Sequence, residues 1–259
     1  MTFTTLISTG ELESMLGGPS LVLLDARFSL DDEAWGTAAY GEAHIPGALR
    51  ADLSAHLSGP VIDGVTGRRP FPDPEVFAAQ LSAWGIDSSV QVVVYDADRG
   101  LMAAARAWVM LRWLGHDAVA VLDGGLTAWL AEDRPMTDEA EQSSPRTFVP
   151  QVRDSLLASV DEVDAARVEP ICRVFDSRSA DGYHGLGKYY DPVKGHIAGA
   201  GLAERTEVLA DDGRFLPPDE LKAHFDSLTA GQPADQVIFY CGSGVTAAEN
   251  LLAMAHAGL

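Results

Sequence analysis

The sequence predicts an α/β protein of two tandem modules. Each is expected to be a parallel sheet with helices on both faces, the second short of its last strand and helix. Three observations carry this. Short apolar runs alternate with helically spaced segments, the chain repeats itself at a near-constant offset, and 47% of its 259 residues are hydrophobic, enough for a real core. The strand-like runs are apolar throughout rather than alternating, which marks strands covered on both faces.

The first module reads in order. Residues 21–24 are an apolar run and predict a buried strand. Residues 73–84 have helical spacing and carry Pro74 at their start, where a missing N–H costs nothing. Residues 91–95 form a second, β-branched strand. Residues 101–114 predict a helix with alanines on one side and Trp108, Leu111 and Trp113 among its bulky residues. A strand at 118–122 and a helix at 126–130 complete the module.

The repeat sets the organisation. Leu23-Leu24-Asp25-Ala26-Arg27 pairs with Val174-Phe175-Asp176-Ser177-Arg178 at an offset of 151, and His44-Ile45-Pro46-Gly47-Ala48 with His196-Ile197-Ala198-Gly199-Ala200 at 152. The segment from Gly67 to Pro72 pairs loosely with Gly213 to Pro218 at 146, and Val93-Val94-Tyr95-Asp96 with Ile238-Phe239-Tyr240-Cys241 at 145. The expected domains are residues 1–135 and 153–259, joined by a polar, non-periodic linker at 136–152. The last helix of the second copy, 247–257, corresponds to 101–114, and the next strand and helix have no counterpart before Leu259. The expectation is that a C-terminal piece is absent, a naturally shortened domain being the alternative.

Charge and cysteine usage narrow the function. Asp and Glu number 38 against 18 Lys and Arg, a formal net charge of −20, so nucleic acid is excluded as a main partner. An anionic small substrate requires a pocket that overrides this field. Two cysteines make no disulfide framework. No signal peptide and no apolar run of membrane-spanning length is read, so a cytoplasmic protein without membrane contact is expected. The seven histidines show no metal-ligand spacing, and no dinucleotide or phosphate-loop motif occurs, so neither metal nor cofactor is expected.

The chemistry lies at the second copy's strand end. The apolar run at 237–240 leads directly into Cys241-Gly242-Ser243-Gly244-Val245-Thr246 and then a helix. This places a thiol at the carboxyl end of a parallel strand, where open α/β sheets bind ligands. The glycines let the loop's N–H groups turn inward as an anion nest backed by the helix N-terminus, a field that favours thiolate. Cys172, beside Ile171 and Arg173 and without glycines, reads as structural. Asp25, Asp176, His44 and His196 recur in the copy without a cysteine and therefore read as fold-supporting. Thr246 reads as a helix cap.

The repeated Asp-x-Arg, the repeated His-Ile-x-Gly-Ala and the Cys-Gly-Ser-Gly-Val-Thr loop resemble the tandem-domain rhodanese sulfurtransferases across the whole chain. The resemblance implies an inert first domain, where Asp96 stands opposite Cys241, and a catalytic second domain, with the active site at their interface. It implies transfer of a sulfane sulfur from a small anionic donor through a Cys241 persulfide to cyanide or a thiol, either a small thiol or a thioredoxin-like protein. Gly242-Ser243-Gly244 resembles the 3-mercaptopyruvate type rather than the thiosulfate type, and Ser243 would assist the sulfur. The loop from Gly242 to Thr246, with Val245, would bind the donor alongside Arg178.

Three positions depart from the family's pattern. Gly182 stands where a carboxylate-binding Arg is expected, and His184 at a second such position. His184, Lys188 and Arg205 are the candidate substitutes. Arg69 replaces a family His in Gly67-Arg68-Arg69-Pro70, and either supplies the lost cation from the first domain or pairs with Asp52. Alternatives are a rhodanese-fold binding or regulatory module that has lost catalysis, and a sulfurtransferase with another donor. A cysteine phosphatase of Cys-x5-Arg type is excluded, because Ala247 occupies the Arg position.

Overall fold

The computed structural model describes residues 2–97, 102–171, 173–186 and 193–259. Cys172 and Lys188, and the expected helix start at Leu101, lie outside the described residues. The chain forms two compact units, Met1–Arg153 and Asp154–Leu259.

The first unit runs β1 (Leu6–Ile7), α1 (Thr9–Met15), β2 (Leu21–Asp25), α2 (Trp35–Glu42), β3 (Ala48–Arg50), α3 (Pro74–Ala83), β4 (Gln91–Tyr95), α4 (Ala103–Trp113), β5 (Val119–Leu122) and α5 (Gly125–Ala131). Its five strands are all parallel in the order β1-β5-β4-β2-β3. Every residue of β4 and β5 is buried, as the apolar runs predict. Asp73 caps α3 by accepting from the N–H groups of Glu75 and Val76, with Pro74 in the first turn. On α4 the guanidinium of the buried Arg106 donates to the carbonyls of Leu57, Arg69 and Pro70. This ties the long segment between β3 and α3 to α4.

The expected linker is an ordered strap on this unit. Ser143 Oγ donates to the Ala83 carbonyl, Arg146 pairs with Asp87, the Gln151 N–H bonds the Leu114 carbonyl, and Arg153 makes two bonds to Asp117.

The second unit runs α6 (Val160–Ala166), β6 (Val174–Asp176), α7 (Ala180–His184), β7 (Gly201–Leu202), α8 (Pro218–Leu228), β8 (Ile238–Tyr240) and α9 (Ala247–His256). Its sheet has three parallel strands in the order β7-β6-β8. Among the described residues, nothing pairs with β8 on the side where β5 pairs with β4. Ile238 and Tyr240 are accordingly half-buried, whereas their counterparts Val93 and Tyr95 are fully enclosed.

The repeated tags hold both units the same way. Arg27 binds both carboxylate oxygens of Asp25 through Nε and donates to the Ala43 carbonyl, while Arg178 does the same to Asp176 and the Gly195 carbonyl. His44 stacks on Tyr40 at 4.0 Å and His196 on Tyr183 at 3.7 Å. In each pair the histidine Nδ1 bonds the tyrosine's carbonyl.

Candidate active site

Cys241 follows β8 directly and is half-buried. Among the described residues its Sγ accepts one hydrogen bond, from the Gly244 N–H at 3.1 Å. That contact needs the backbone to reverse within three residues, and Gly244 does so at φ +72°, where a β-carbon is disfavoured. Gly242 and Ser243 are half-buried on the turn, and Val245 is buried beneath it, anchoring the loop to the unit's core.

Thr246 does not cap α9 as expected. It stands at the N-cap with helical angles, φ −66° and ψ −34°, and its side chain makes no capping bond. A cap hydroxyl reaches the helix N–H groups from extended backbone, which Thr246 lacks. The first turn is tightened instead by bonds from Ala248 N–H to the Val245 carbonyl and Glu249 N–H to the Thr246 carbonyl.

Beneath the loop lies a buried polar layer. The Tyr240 hydroxyl accepts the Ile197 N–H at 2.9 Å and is hydrogen-bonded to Asp176, and burial pushes its phenol above the ordinary tyrosine range. Asn250 Nδ2 donates to Ser177 Oγ and to the Ala203 carbonyl, both at 2.9 Å. Arg205 Nη1 lies 3.6 Å from the fully buried Glu249 carboxylate.

The expected donor-binding residues fare differently. Arg178 is clamped between Asp176 and the Gly195 carbonyl, so the structure assigns its guanidinium to the framework. His184 is exposed at the end of α7, edge-on to Tyr183, and no hydrogen bond or ion pair among the described residues joins it to the Cys241 loop. Gly182 packs tightly, since a β-carbon there would lie 3.3 Å from Arg178 Cβ. In the first unit, Arg69 donates to Ser54 Oγ at 2.8 Å and faces Glu33 at 3.7 Å. Of the two readings for Arg69, the ion pair with Asp52 is absent among the described residues. Asp52 instead pairs with Arg50 at 3.0 Å and accepts the N–H groups of Ser54 and Ala55, a local turn that consumes its oxygens.

Sequence reasoning missed Ser177, Glu249 and Asn250. The available signal was a position-by-position comparison of the repeat: Ser177 replaces Ala26 and, with the helix ends registered on Gly115 and Gly258, Asn250 replaces Ala107 while Glu249 replaces the buried Arg106.

Residues 8–132 and 159–259 each match the rhodanese-like domain. The chain belongs to the rhodanese family of sulfurtransferases. It is 44% identical over 259 residues to a Pseudomonas aeruginosa protein described as a probable 3-mercaptopyruvate sulfurtransferase, covering 100% of this chain and 91% of that one. It is 32% identical over 240 residues to the thiosulfate sulfurtransferase of Bos taurus, covering 91% of this chain and 79% of the relative. Among solved structures it resembles the 3-mercaptopyruvate sulfotransferase SseA from Escherichia coli, with a TM-score of 0.82, 30% identity, and coverage of 99% of this chain and 95% of that one. The 3-mercaptopyruvate sulfurtransferase from Leishmania major matches with a TM-score of 0.84 and 28% identity, over 99% of this chain and 70% of that one. Two rhodanese-like modules and a family activity of sulfur transfer agree with the sequence expectation. No helix among the described residues is long and apolar enough to cross a membrane.

Proposed function

We propose that this rhodanese-family protein takes sulfur from 3-mercaptopyruvate onto Cys241 and passes it to a thiol. The observation that carries the reading is the Gly244 N–H on Cys241 Sγ at 3.1 Å, in a loop whose Gly242-Ser243-Gly244 run bears no charge. Such a loop offers amides and one hydroxyl. It suits a donor that gives up sulfur from a neutral carbon better than a doubly charged thiosulfate.

The Cys241 thiolate attacks the donor's sulfur. An S–S bond forms and the donor's C–S bond breaks, leaving its electron pair on carbon as the enolate of pyruvate, which takes up a proton. Loop N–H groups support the negative charge on sulfur as it moves. An acceptor thiolate then attacks the outer sulfur of the persulfide. It leaves as the acceptor's own persulfide, and the Cys241 thiolate is restored. Ser243 assists by donating its hydroxyl to the persulfide. A small thiol or a thioredoxin-like protein is the acceptor, and the setting is cytoplasmic.

Thiocyanate formation from cyanide tests this with each donor. Wild type is expected to prefer 3-mercaptopyruvate, and Cys241→Ala to lose roughly 10³-fold or more, as removal of a covalent nucleophile does. Activity retained in Cys241→Ala overturns the role of the cysteine, and a preference for thiosulfate overturns the donor.

A further inference from the structure

The two units tie the helix that follows Asp96 or Cys241 to the sheet in different ways. The helix ends fix which residues correspond. Gly115 and Gly258 both have positive φ, and each donates to the carbonyl three residues back while the next residue donates five back. That register sets Arg106 opposite Glu249 and Ala107 opposite Asn250. Both helices bury a charge at the first of these positions, so charge does not distinguish them. At the strand ends the Ala26 N–H bonds the Tyr95 carbonyl as the Ser177 N–H bonds the Tyr240 carbonyl, which sets Ala26 opposite Ser177. Two fully buried alanines of the first unit thus become a serine and an asparagine in the second.

In the first unit the strand-end residue itself holds the helix. Asp96 Oδ2 accepts the N–H groups of Met102 and Ala104, both at 3.2 Å. A sulfur that has to form and release a bond cannot serve as such a fixed cap. Among the described residues Cys241 Sγ accepts one N–H, that of Gly244 within its own loop, short of α9. The tie comes from the helix instead. Asn250, at the start of α9, spends both Nδ2 hydrogens on the sheet side, on Ser177 Oγ and on the Ala203 carbonyl, each at 2.9 Å. A carbonyl only accepts, which fixes the orientation of the amide. The first unit meets the matching Ala51 carbonyl from its own strand, through Arg50 at 3.4 Å.

The first partner leads straight to the reactive residue. The Ser177 N–H bonds the Tyr240 carbonyl at 2.8 Å, and that carbonyl belongs to the peptide bond of Cys241. The second partner is locked to β6 as well, because the Ala203 N–H bonds the Asp176 carbonyl at 2.9 Å. One side chain therefore joins the strand end before the Cys241 loop to the helix after it. Asn250 Oδ1 is buried with no hydrogen bond among the described residues. The amide is kept for its two N–H bonds at the cost of an unpaired carbonyl.

We propose that Asn250 is a positioning residue for sulfur transfer, holding the two ends of the loop at the separation in which the Gly244 N–H meets Cys241 Sγ. It acts through Ser177 and the backbone and makes no hydrogen bond to the sulfur among the described residues. The proposal rests on Cys241 being the reactive thiol, and its test is separable from that reading.

Asn250→Ala and Ser177→Ala, singly and together, restore the first unit's pair of alanines. Each is followed by iodoacetamide alkylation of Cys241 at neutral pH, read on its own peptide by mass spectrometry, beside the thermal unfolding midpoint. Asn250→Ala is expected to slow alkylation about five- to tenfold, the loss of one amide bond to a charged sulfur, with little change in the midpoint. Adding Ser177→Ala should slow the reaction little further, because the tie is already cut. In the thiocyanate assay kcat should fall by a similar factor while KM for 3-mercaptopyruvate stays within about twofold, since Asn250 does not bind the donor. Alkylation that is unchanged or faster in Asn250→Ala overturns the proposal. Losses that multiply in the double variant overturn it by showing independent roles, and a raised KM with kcat kept overturns it by showing donor binding. Should Asn250→Ala fold poorly, Ser177→Ala alone decides, and an unchanged alkylation rate there overturns the proposal. Cys241→Ala with undiminished sulfur transfer defeats the proposed function instead. The alkylation rates need only the thiol, and still decide the role of Asn250.

Discussion

Asp96 and Cys241 occupy the same address in the two units, at the end of β4 and of β8. In the first unit the address holds a carboxylate, whose Oδ2 accepts the N–H groups of Met102 and Ala104 at the start of α4. In the second it holds a sulfur that accepts the N–H of Gly244 before α9. Strand end, turn and helix start offer backbone donors in both cases. The first unit fills that place with its own buried side chain, which makes it a helix cap. The second leaves a half-buried atom that can form a bond. The two units thus share a strand end followed by a helix and differ in the side chain that stands between them.

The largest test of this comparison removes the carboxylate common to both frameworks. Asp25→Ala leaves Arg27 buried without its partner and should cost about 3–5 kcal/mol in urea unfolding. Asp176→Ala should cost less, because the Arg178 side chain is 22% exposed against 6% for Arg27 and water can take over part of the role. Equal losses would show that the two clamps are energetically alike despite that exposure.

A smaller contrast comes from matched glycines. Gly47 and Gly199 both have positive φ, +83° and +95°. A β-carbon at Gly47 meets nothing within 4 Å, whereas one at Gly199 would lie 2.1 Å from the Arg167 carbonyl oxygen. Gly47→Ala should cost about 1–2 kcal/mol from backbone strain alone, and Gly199→Ala about 2–4 kcal/mol with the added clash. Thermal unfolding of the two variants checks the order.

The smallest effect concerns pH. Burial holds His56 and His116 in the first unit and His256 in the second below the ordinary histidine value of 6.5. His56 also accepts the Asp52 N–H at Nδ1, which requires that nitrogen unprotonated. The unfolded chain therefore binds more protons than the folded one as pH falls through 6.5. Their contribution is present above that pH and is lost as pH drops toward the folded values. Denaturant midpoints measured from pH 7.5 to 5 should decline, and His56→Gln should flatten part of the decline.

Much of the fold was legible because it is written locally. The strand expected at 91–95 is β4 as observed, and the helices expected at 73–84 and 247–257 form within a residue or two of those ends. The strands β1, β3 and β7 are two or three residues long, too short for any period to show. They are strands only because a neighbour pairs with them. The amphipathic α8 was also not read from the sequence. The Cys241 loop was legible for the same local reason, since strand, cysteine, glycines and helix are consecutive.

What the sequence by itself determined is the duplication, the parallel α/β architecture and the position of the one cysteine at a strand end, all properties of neighbouring residues or of a repeat. Only the tertiary structure decided which charges are committed. It gives Arg178 to Asp176 and Gly195, Asp52 to Arg50, and Arg205 to a glutamate 44 residues further along the chain. An ion pair is settled by which side chains the packing brings within a few ångströms and how much water it leaves them, and neither is encoded in spacing along the chain.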